Sequence, residues 1–331
     1  MKRRVLFMKS KLTWYVISLF ILFLPCFSVA AETQIIDPLV NDETITIPDS
    51  DLLNNEESIE PQLRFANHAF EFGLMYHYFD YKEDIPSPGK STEKGWLPGL
   101  YLGWNYNKKN AVYSKIFFEF SYGDTEYDGT DQSGTIPIKY SDNNHQFLFR
   151  GEWDIGYNFA VAKNISLKPY VGYGYRYWSR GQSEWRPVYY NSIQVIMGTP
   201  RERYYWHYIP IGVNANFNIG DKFFIEPNAG IRWMFYGRMK AYFSELDSRN
   251  DDPEFKLGNK VGWYAEIPLR YMFSQFWSVV IKPWYEYSEI GLSNDVEFTC
   301  YSCGYPYLWI GHEPASRTHQ YGLNVGMVFS Y

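Results

Sequence analysis

The sequence predicts an all-β fold: a ten-stranded antiparallel transmembrane β-barrel in which the strands follow one another as an up-and-down meander. Three observations support this prediction. Ten segments alternate apolar and polar residues, the connections between them are alternately short and long, and the N-terminal segment is typical of an exported protein. Because successive side chains of a β-strand point to opposite faces, strict alternation indicates a strand with two different environments.

The alternation is clear in segment 146–159, QFLFRGEWDIGYNF. Its charged residues, Arg150, Glu152 and Asp154, fall on one face, and the other face carries aromatic residues and Ile155. The same two-faced pattern recurs in nine other segments, which predicts ten strands. The ten segments span about 69–80, 97–106, 111–122, 146–159, 165–178, 205–217, 223–238, 262–272, 278–289 and 319–331.

The connections between these segments alternate in length. Those after the second, fourth, sixth and eighth segments are turns of a few residues, such as NKKN and NIGDK, and the others are long and polar. Short turns on one rim and long loops on the other are typical of transmembrane β-barrels.

Prolines recur near the short turns. Pro169, Pro227 and Pro283 each follow a short turn, and Pro210 and Pro268 lie in the strands that precede such turns. Proline removes a ladder donor and is normally confined to strand starts, edges and bulges. We therefore expect a repeated hairpin unit with a bulge near the short-turn rim.

The charged face is predicted to point into the barrel. A ten-stranded barrel is too narrow to hold all the large apolar side chains, and in lipid only a closed barrel satisfies the strand backbones. Seven acids and eight bases are therefore expected in the lumen, paired with one another because unpaired buried charges are costly. Asp154 is expected near Lys168, and Glu266 near Lys282, register permitting. The predicted network comprises Glu71, Lys115, Glu119, Arg150, Glu152, Asp154, Lys168, Arg176, Glu226, Arg232, Arg238, Glu266, Arg270, Lys282 and Glu286.

The N-terminal region divides into two segments. Residues 1–30 carry five basic residues, then an apolar run and small residues, which predicts a secretory signal peptide. An uncleaved membrane anchor is the alternative, but the run is short for a spanning helix, which needs about 20 apolar residues. Residues 31–66 contain nine acids and one base and predict a flexible acidic periplasmic tail. The barrel would then occupy residues 67–331. The full chain has a net charge of −6, which argues against nucleic-acid binding.

The signal peptide, the ten two-faced strands, the alternating loops and the ending GLNVGMVFSY resemble bacterial outer-membrane β-barrel proteins. The resemblance implies a location in the outer membrane of a Gram-negative bacterium. It also implies contact with outer-membrane lipid and lipopolysaccharide. The alternate residues Met327, Phe329 and Tyr331 match the signal that the barrel-assembly machinery recognises in this class.

The predicted layout is similar to that of the omptin proteases and the ten-stranded adhesins. Omptins pair acids with an Asp–His couple on the outer rim, whereas segment 243–260 has acids but no His. Nothing in segments 79–96 or 123–145 resembles the omptin catalytic aspartate motif. These departures argue against protease activity.

Cysteine and histidine positions suggest further chemistry. Cys300 and Cys303 form CYSC in the last long loop, and after removal of Cys26 they are the only cysteines. In an exported protein this spacing predicts a local disulfide. A metal site with His312 is the alternative, but the loop does not plainly supply a fourth ligand. His77 is either a general base, as in outer-membrane lipid A deacylases, or a hydrogen-bonded lumen histidine.

These observations predict a non-enzymatic protein without a catalytic residue, metal or cofactor, and with a structural, adhesive or small-solute-passage (porin-like) role. Loops 179–203 and 291–316 carry many aromatics that either bind glycans, lipopolysaccharide or host proteins or simply cap the barrel. The alternative function is an outer-membrane hydrolase acting on lipid A or peptides at the outer rim. That function would require an acid–His or Ser–His pair at the long-loop end.

Overall fold

A computed structural model of the chain describes residues 67–86, 89–131, 138–190, 193–303, 305 and 307–331. The predicted signal peptide, residues 1–30, and the predicted acidic tail, residues 31–66, lie outside the described residues. Among the described residues, no helix is both long enough and apolar enough to cross a membrane.

The described residues form β-strands and one short 3-10 helix, Phe243–Glu245. The strands are β1 (His68–Glu83), β2 (Ser91–Asn107), β3 (Ala111–Asp131), β4 (Ile138–Ala162), β5 (Ile165–Arg180), β6 (Glu184–Tyr190), β7 (Ile193–Thr199), β8 (Arg201–Ile219), β9 (Phe223–Ile225), β10 (Asn228–Tyr242), β11 (Glu254–Leu257), β12 (Val261–Glu266), β13 (Leu269–Met272), β14 (Trp277–Ile290), β15 (Val296–Thr299), β16 (Leu308–Gly311) and β17 (Ser316–Ser330).

Ten barrel-spanning strands, which we call staves, close into one antiparallel barrel, and this confirms the predicted fold class. β9 with β10, and β12 with β13, each make one stave, and β1 to β5, β8, β14 and β17 each make another. The last strand closes the ring because it pairs with both β1 and β14, so that Phe329 lies opposite Phe70 on one side and Trp277 on the other. A closed barrel leaves no strand edge to be exposed to lipid.

Two staves are interrupted at prolines. Pro227 separates β9 from β10, and Pro268 separates β12 from β13, although both halves keep one register with their neighbours. The hydrogen-bonded ladder is interrupted at these two positions, but the register does not shift there, so the expected bulge is absent at both prolines. At Pro169, Pro210 and Pro283 the strands run through without a break.

The outer surface of the barrel carries an apolar belt. Leu74, Trp153 and Val171 are among its exposed side chains. Above them Tyr78 and Trp96 are in edge contact, and the Asp80–Lys94 ion pair, 3.1 Å between Oδ2 and Nζ, lies immediately beyond. An apolar band bounded by aromatic side chains is the lipid-facing surface of a transmembrane barrel.

Three elements beyond the long-loop rim were not predicted from the sequence. β6 and β7 form a hairpin between β5 and β8, β15 and β16 form another before β17, and β11 extends the sheet by pairing with β10. These strands are only four to seven residues long and lie within the long connections, so their alternation is too brief to stand out. They build the long-loop end of the molecule.

Candidate functional site

A layer of alternating charges crosses the middle of the lumen. Glu286 on β14 accepts hydrogen bonds from Arg150 on β4, Arg176 on β5 and Arg232 on β10. Arg232 Nη1 lies 2.8 Å from Glu286 Oε2, and Arg232 Nε lies 3.0 Å from Glu152 Oε2. Arg150 also pairs with Glu119. Three guanidinium groups thus face three carboxylates, and we call this set the charged layer.

A second set of ion pairs lies between the charged layer and the short turns. Each pair joins different strands: Lys115 with Glu266 at 3.7 Å, Arg270 with Glu226 at 2.7 Å, and Lys282 with Glu71 at 2.5 Å. The structure therefore brings most of the predicted network into the lumen. Two members, Asp154 and Lys168, are buried without an ion pair among the described residues.

The residues expected near each other across two hairpins do not lie directly opposite each other. Asp154 lies opposite Gly172 rather than Lys168, and Glu266 lies opposite Trp284 rather than Lys282. In each hairpin, the strand register displaces the two charged residues relative to each other along the strands. Glu266 instead pairs with Lys115, and Lys282 pairs with Glu71.

The predicted inward position of Arg238 was also wrong. The register between β8 and β10 shifts between Phe235 and Arg238, and Tyr236 adopts φ 53°. This β-bulge exchanges the two faces of the strand. Met239 therefore points inward and is buried, whereas Arg238 lies outside, 3.4 Å from Glu254 and 4.4 Å from the Tyr236 ring centroid.

An apolar core fills the lumen on the long-loop side of the charged layer. It is built from buried aromatic and aliphatic side chains of most staves, with β11 and the β15–β16 hairpin packed against it. Its members include Phe79, Tyr81, Leu97, Leu148, Trp178, Tyr204, Trp206, Met234, Phe255 and Leu257. The cavity within the charged layer measures only about 20 Å³, which is room for about one water. Among the described residues, buried side chains therefore occupy the lumen from the charged layer to the long-loop end.

His77 lies deep inside the barrel. Its side chain is 1% exposed, its ring centroid is 5.4 Å from that of Trp284, and neither ring nitrogen has a hydrogen-bond partner among the described residues. It is therefore a buried lumen histidine, but without the expected hydrogen bond among the described residues.

A cluster of acids surrounds one arginine beyond the belt at the long-loop end. Arg180 Nε lies 2.8 Å from Glu93, and its Nη1 lies 3.0 Å from both Glu83 and Glu202. These four residues, with Glu313 and Tyr204, form what we call the acid cluster. The alternation pattern did not reveal it because Glu93 and Glu202 lie beyond the predicted strand ends.

One carboxyl of the acid cluster must carry a proton. The Tyr204 hydroxyl has a single hydrogen, yet it lies 2.9 Å from Glu202 Oε2 and 2.7 Å from Glu313 Oε1. One of these contacts therefore needs a carboxylic acid as donor. Glu202 is paired with Arg180, and burial together with Glu202 and Glu83 raises the pKa of Glu313 well above its usual range. Glu313 is the protonated member.

Acid–His pairs are present at the long-loop end, although sequence reasoning did not locate them. Asp124 and His145 lie opposite each other on β3 and β4 and are in contact, and Asp295 Oδ1 lies 3.1 Å from His312 Nδ1. Counting residues along the paired strands β3 and β4 would have placed Asp124 opposite His145. In the part of the chain that the structure describes, no group of three or more His, Cys, Asp or Glu residues is arranged to hold a metal.

The last long loop is held by a disulfide and presents apolar side chains. Cys300 and Cys303 are bonded, with 5.3 Å between their Cα atoms. Tyr305 is 87% exposed and Ile310 is 71% exposed, and on the β6–β7 hairpin Ile196 is 70% exposed. Apolar side chains this accessible outside the lipid belt are typical of a contact surface.

A notch on the outer wall combines cationic and aromatic side chains at the upper edge of the belt. Arg203 Nη1 lies 3.1 Å from the Tyr242 hydroxyl, and Lys240 lies 5.0 Å from the Tyr242 ring centroid. The notch encloses about 310 Å³ and is lined by Tyr175, Tyr177, Arg203, Tyr205, Lys240, Tyr242 and Glu254. We call it the basic notch.

The C-terminal residues complete the barrel wall. Met327 and Phe329 alternate along the outer face of β17. Tyr331 directly follows this strand and stacks on His68 with 5.5 Å between ring centroids. The aromatic end of the chain is therefore accessible at the short-turn rim.

A solved structure shares this architecture. No known family model matches the sequence, and no match is found among curated proteins. The structure of the outer membrane protease OmpT from Escherichia coli is 8% identical, with the match covering 82% of this chain and 98% of OmpT at a TM-score of 0.53. OprG from Pseudomonas aeruginosa is 10% identical, covering 81% and 98% at a TM-score of 0.35. Ail of Yersinia pestis is also 10% identical, covering 80% and 99% at a TM-score of 0.30.

The match to OmpT confirms the predicted omptin-like layout of an outer-membrane barrel. At 8% identity it establishes the fold alone. The fold, together with the apolar belt, is that of a bacterial outer-membrane protein.

Proposed function

We propose that this protein is a closed, non-enzymatic outer-membrane barrel whose long-loop end contacts a ligand at the cell surface. The main observation that supports the proposal is the filled lumen. A solute would have to displace both the charged layer and the apolar core, where the enclosed cavity holds only about 20 Å³. Small-solute passage, one of the roles predicted from the sequence, is therefore disfavoured.

The surface role is supported by the two hairpins at the long-loop end. The β15–β16 hairpin, whose connection contains the Cys300–Cys303 disulfide, exposes Tyr305 and Ile310, and a cross-link of this kind reduces the conformational entropy that is lost on binding. Aromatic side chains supply stiff contact area for glycans or proteins. In this proposal the short turns face the periplasm and the long loops face the cell exterior.

The experiment measures ligand binding by the purified protein in detergent micelles. The wild type, a Tyr305→Ala/Ile310→Ser variant and a Glu297→Gln control would be tested on arrays of glycans and host extracellular proteins. Glu297 is exposed on the same hairpin, so its neutral replacement controls for general loop effects. The proposal expects binding by the wild type and the control, and its loss in the double variant. Equal binding by all three would contradict it.

The basic notch supports contact with lipopolysaccharide. Its Arg203 and Lys240 lie on the outer wall at the upper edge of the belt, at the level of lipid headgroups. Guanidinium and ammonium groups bind phosphates, and Tyr242 lies beside both cations. The proposal expects an Arg203→Gln/Lys240→Gln variant to copurify with less lipopolysaccharide. An unchanged lipid content would contradict this assignment.

A hydrolase at the outer rim has one supporting observation, the exposed contact between Asp124 and His145. Such a pair is the minimum that a general base needs. If this candidate function holds, purified protein will cleave lipid A or peptide substrates, and His145→Gln will abolish the activity. Absence of cleavage by the wild type would leave the non-enzymatic proposal in place.

A further inference from the structure

A cavity opens at the short-turn end of the lumen. Its lining includes the second set of ion pairs and the turn residues Lys163 and Asn164, and we call it the short-turn vestibule. Small apolar side chains, such as Ala69 and Val280, also line it. The vestibule encloses about 150 Å³, and a cavity of about 150 Å³ is large enough to hold benzene. It therefore has room for a small organic molecule.

Cationic side chains outnumber carboxylates in the lining of the vestibule. Its carboxylates are Glu71, Glu226 and Glu266, and each is already paired with a lysine or an arginine of the lining. Lys168 is only 4% exposed, and among the described residues no carboxylate lies within 4.0 Å of its Nζ atom. This ammonium lies 5.4 Å from the centroid of the Tyr113 ring. Because a buried unpaired ammonium is costly, the vestibule favours an anion beside Lys168.

Amide oxygens in the same lining also lack partners. The Oδ1 atoms of Asn158, Asn214 and Asn216 are buried without a hydrogen-bond partner among the described residues. All three residues line the vestibule, and Asn214 lies directly opposite Lys168 in the pairing of β5 with β8. The unpaired cation and the unpaired acceptors therefore belong to one site.

The donor ends of these amides are already engaged. The Nδ2 atom of Asn158 donates to Asn107 Oδ1 at 2.8 Å. The Nδ2 atoms of Asn214 and Asn216 donate to Glu226, each at 3.3 Å, the first to its carbonyl oxygen and the second to its carboxylate. The oxygens are the free ends of the three amides, and they can only accept hydrogen bonds.

The chemistry of the site defines a class of ligand. A ligand that satisfies the site brings a negative charge for the Lys168 ammonium and hydrogen-bond donors for the amide oxygens. A charged ammonium donor would add a positive charge to a lining in which cations are already in excess, and like charges repel. Uncharged hydroxyl groups are therefore the better donors. A small hydroxy acid combines hydroxyl groups with a carboxylate and fits the volume of the vestibule.

We propose that the short-turn vestibule binds a small hydroxylated carboxylate, with the Lys168 ammonium as the partner of its carboxylate. The hydroxyl groups of the ligand donate to the asparagine oxygens, and the small apolar side chains of the lining contact its carbon chain. The vestibule lies at the opposite end of the barrel from the long-loop hairpins, so this binding is independent of the function proposed for them.

The first test compares three small molecules as ligands of the purified exported protein in detergent micelles, with binding measured by ligand-observed NMR. Glycerate carries a carboxylate and hydroxyl groups, propanoate carries the carboxylate without hydroxyl groups, and glycerol carries hydroxyl groups without the charge. The proposal expects glycerate to bind more tightly than either of the others. Absence of glycerate binding, or binding of propanoate or glycerol as tight as that of glycerate, would overturn the proposal.

The second test removes the cation of the site. Loss of one charged hydrogen bond corresponds to about tenfold or more in affinity, so Lys168→Gln should raise the dissociation constant of glycerate by at least about that factor. The matched control is Lys222→Gln, which removes a cation from a short turn outside the vestibule and should bind glycerate like the wild type. Equal dissociation constants for the two variants would overturn the proposal.

A third test keeps Lys168 and supplies its missing anion from the barrel itself. Asn214→Asp places a carboxylate directly opposite Lys168, where it competes with the carboxylate of the ligand and removes one of the three amide groups. This variant should also bind glycerate about tenfold or more weakly. It provides the decisive measurement if Lys168→Gln does not fold, as judged by heat-modifiable gel migration. Undiminished glycerate binding by folded Asn214→Asp would overturn the proposal.

Discussion

Arg232 on β10 reaches Glu286 on β14, with 2.8 Å between Nη1 and Oε2. The stave that contains β12 lies between these two strands, so the contact joins staves that are not neighbours in the sheet. Arg150 and Arg176 approach the same carboxylate from β4 and β5 on the facing wall. Glu286 is therefore the centre of the charged layer and ties together both sides of the lumen.

Replacing Glu286 with glutamine should destabilise the barrel strongly. The variant leaves three guanidinium groups around a neutral side chain, and removing one partner of a buried pair costs about 3–5 kcal/mol. We expect a lower midpoint for urea unfolding followed by tryptophan fluorescence. The exposed Glu297→Gln variant, which removes the same charge outside the lumen, should unfold like the wild type. Equal midpoints for the two variants would contradict the central role of Glu286.

Placing a charge on the lipid face should impair assembly. Trp153 is 52% exposed in the middle of the lipid-facing row of β4. An arginine there would face hydrocarbon at a cost of roughly 2–4 kcal/mol. We expect Trp153→Arg to reduce the folded fraction in heat-modifiable gels, whereas Trp153→Phe should assemble normally. Normal folding of Trp153→Arg would mean that the two faces have been assigned the wrong way round.

The acid cluster should make stability depend on pH. The pKa of Glu313 is raised in the folded protein, first by burial and then by Glu202 and Glu83. Above about pH 4.5, its ordinary value, the unfolded chain releases this proton while the folded chain keeps it. The stability contributed by Glu313 is therefore fully present below that pH and is lost as the pH rises.

Glu313→Gln tests this dependence because its amide stays neutral at every pH. Relative to the wild type, the variant should unfold at a higher temperature at pH 8 and at a similar temperature at pH 4. Heat-modifiable migration measured at both pH values gives the two midpoints. A variant less stable than the wild type at pH 8 would show that the ionised carboxylate is the stabilising form.

The last long loop should contain no free thiol. Cys300 and Cys303 are disulfide-bonded, and Cys300 is fully buried. Mass spectrometry of the exported protein should show no alkylation before reduction and two alkylated cysteines afterwards. Two reactive thiols without reduction, or one bound zinc per chain, would contradict the disulfide.

The sequence predicted the ten staves and the two faces because both follow from period-two alternation, which is a local property. It did not predict the partners within the lumen. The pairing of Lys115 with Glu266 joins residues far apart in the sequence, and it depends on the shear and tilt of the closed barrel. Alternation predicts which face of the strand a side chain occupies, but not its position along the barrel axis. Asp154 and Lys168 were therefore matched incorrectly.

Two further features escaped sequence reasoning for physical reasons. The bulge at Tyr236 reverses the faces of β10, so Arg238 lies outside although its position in the alternation is inward. Phe79 and Trp178 also belong to the inward row, but they are apolar. A simple rule that assigns polar residues to the lumen and apolar residues to lipid cannot predict an apolar core inside a membrane barrel.

Conductance in planar lipid bilayers tests the central claim, the closed lumen, most directly. The charged layer and apolar core predict that wild-type protein inserted in the bilayer shows no stable open-channel current. If folded wild-type protein instead shows a steady conductance that persists in every insertion event, the lumen is open and the account of a closed barrel is wrong.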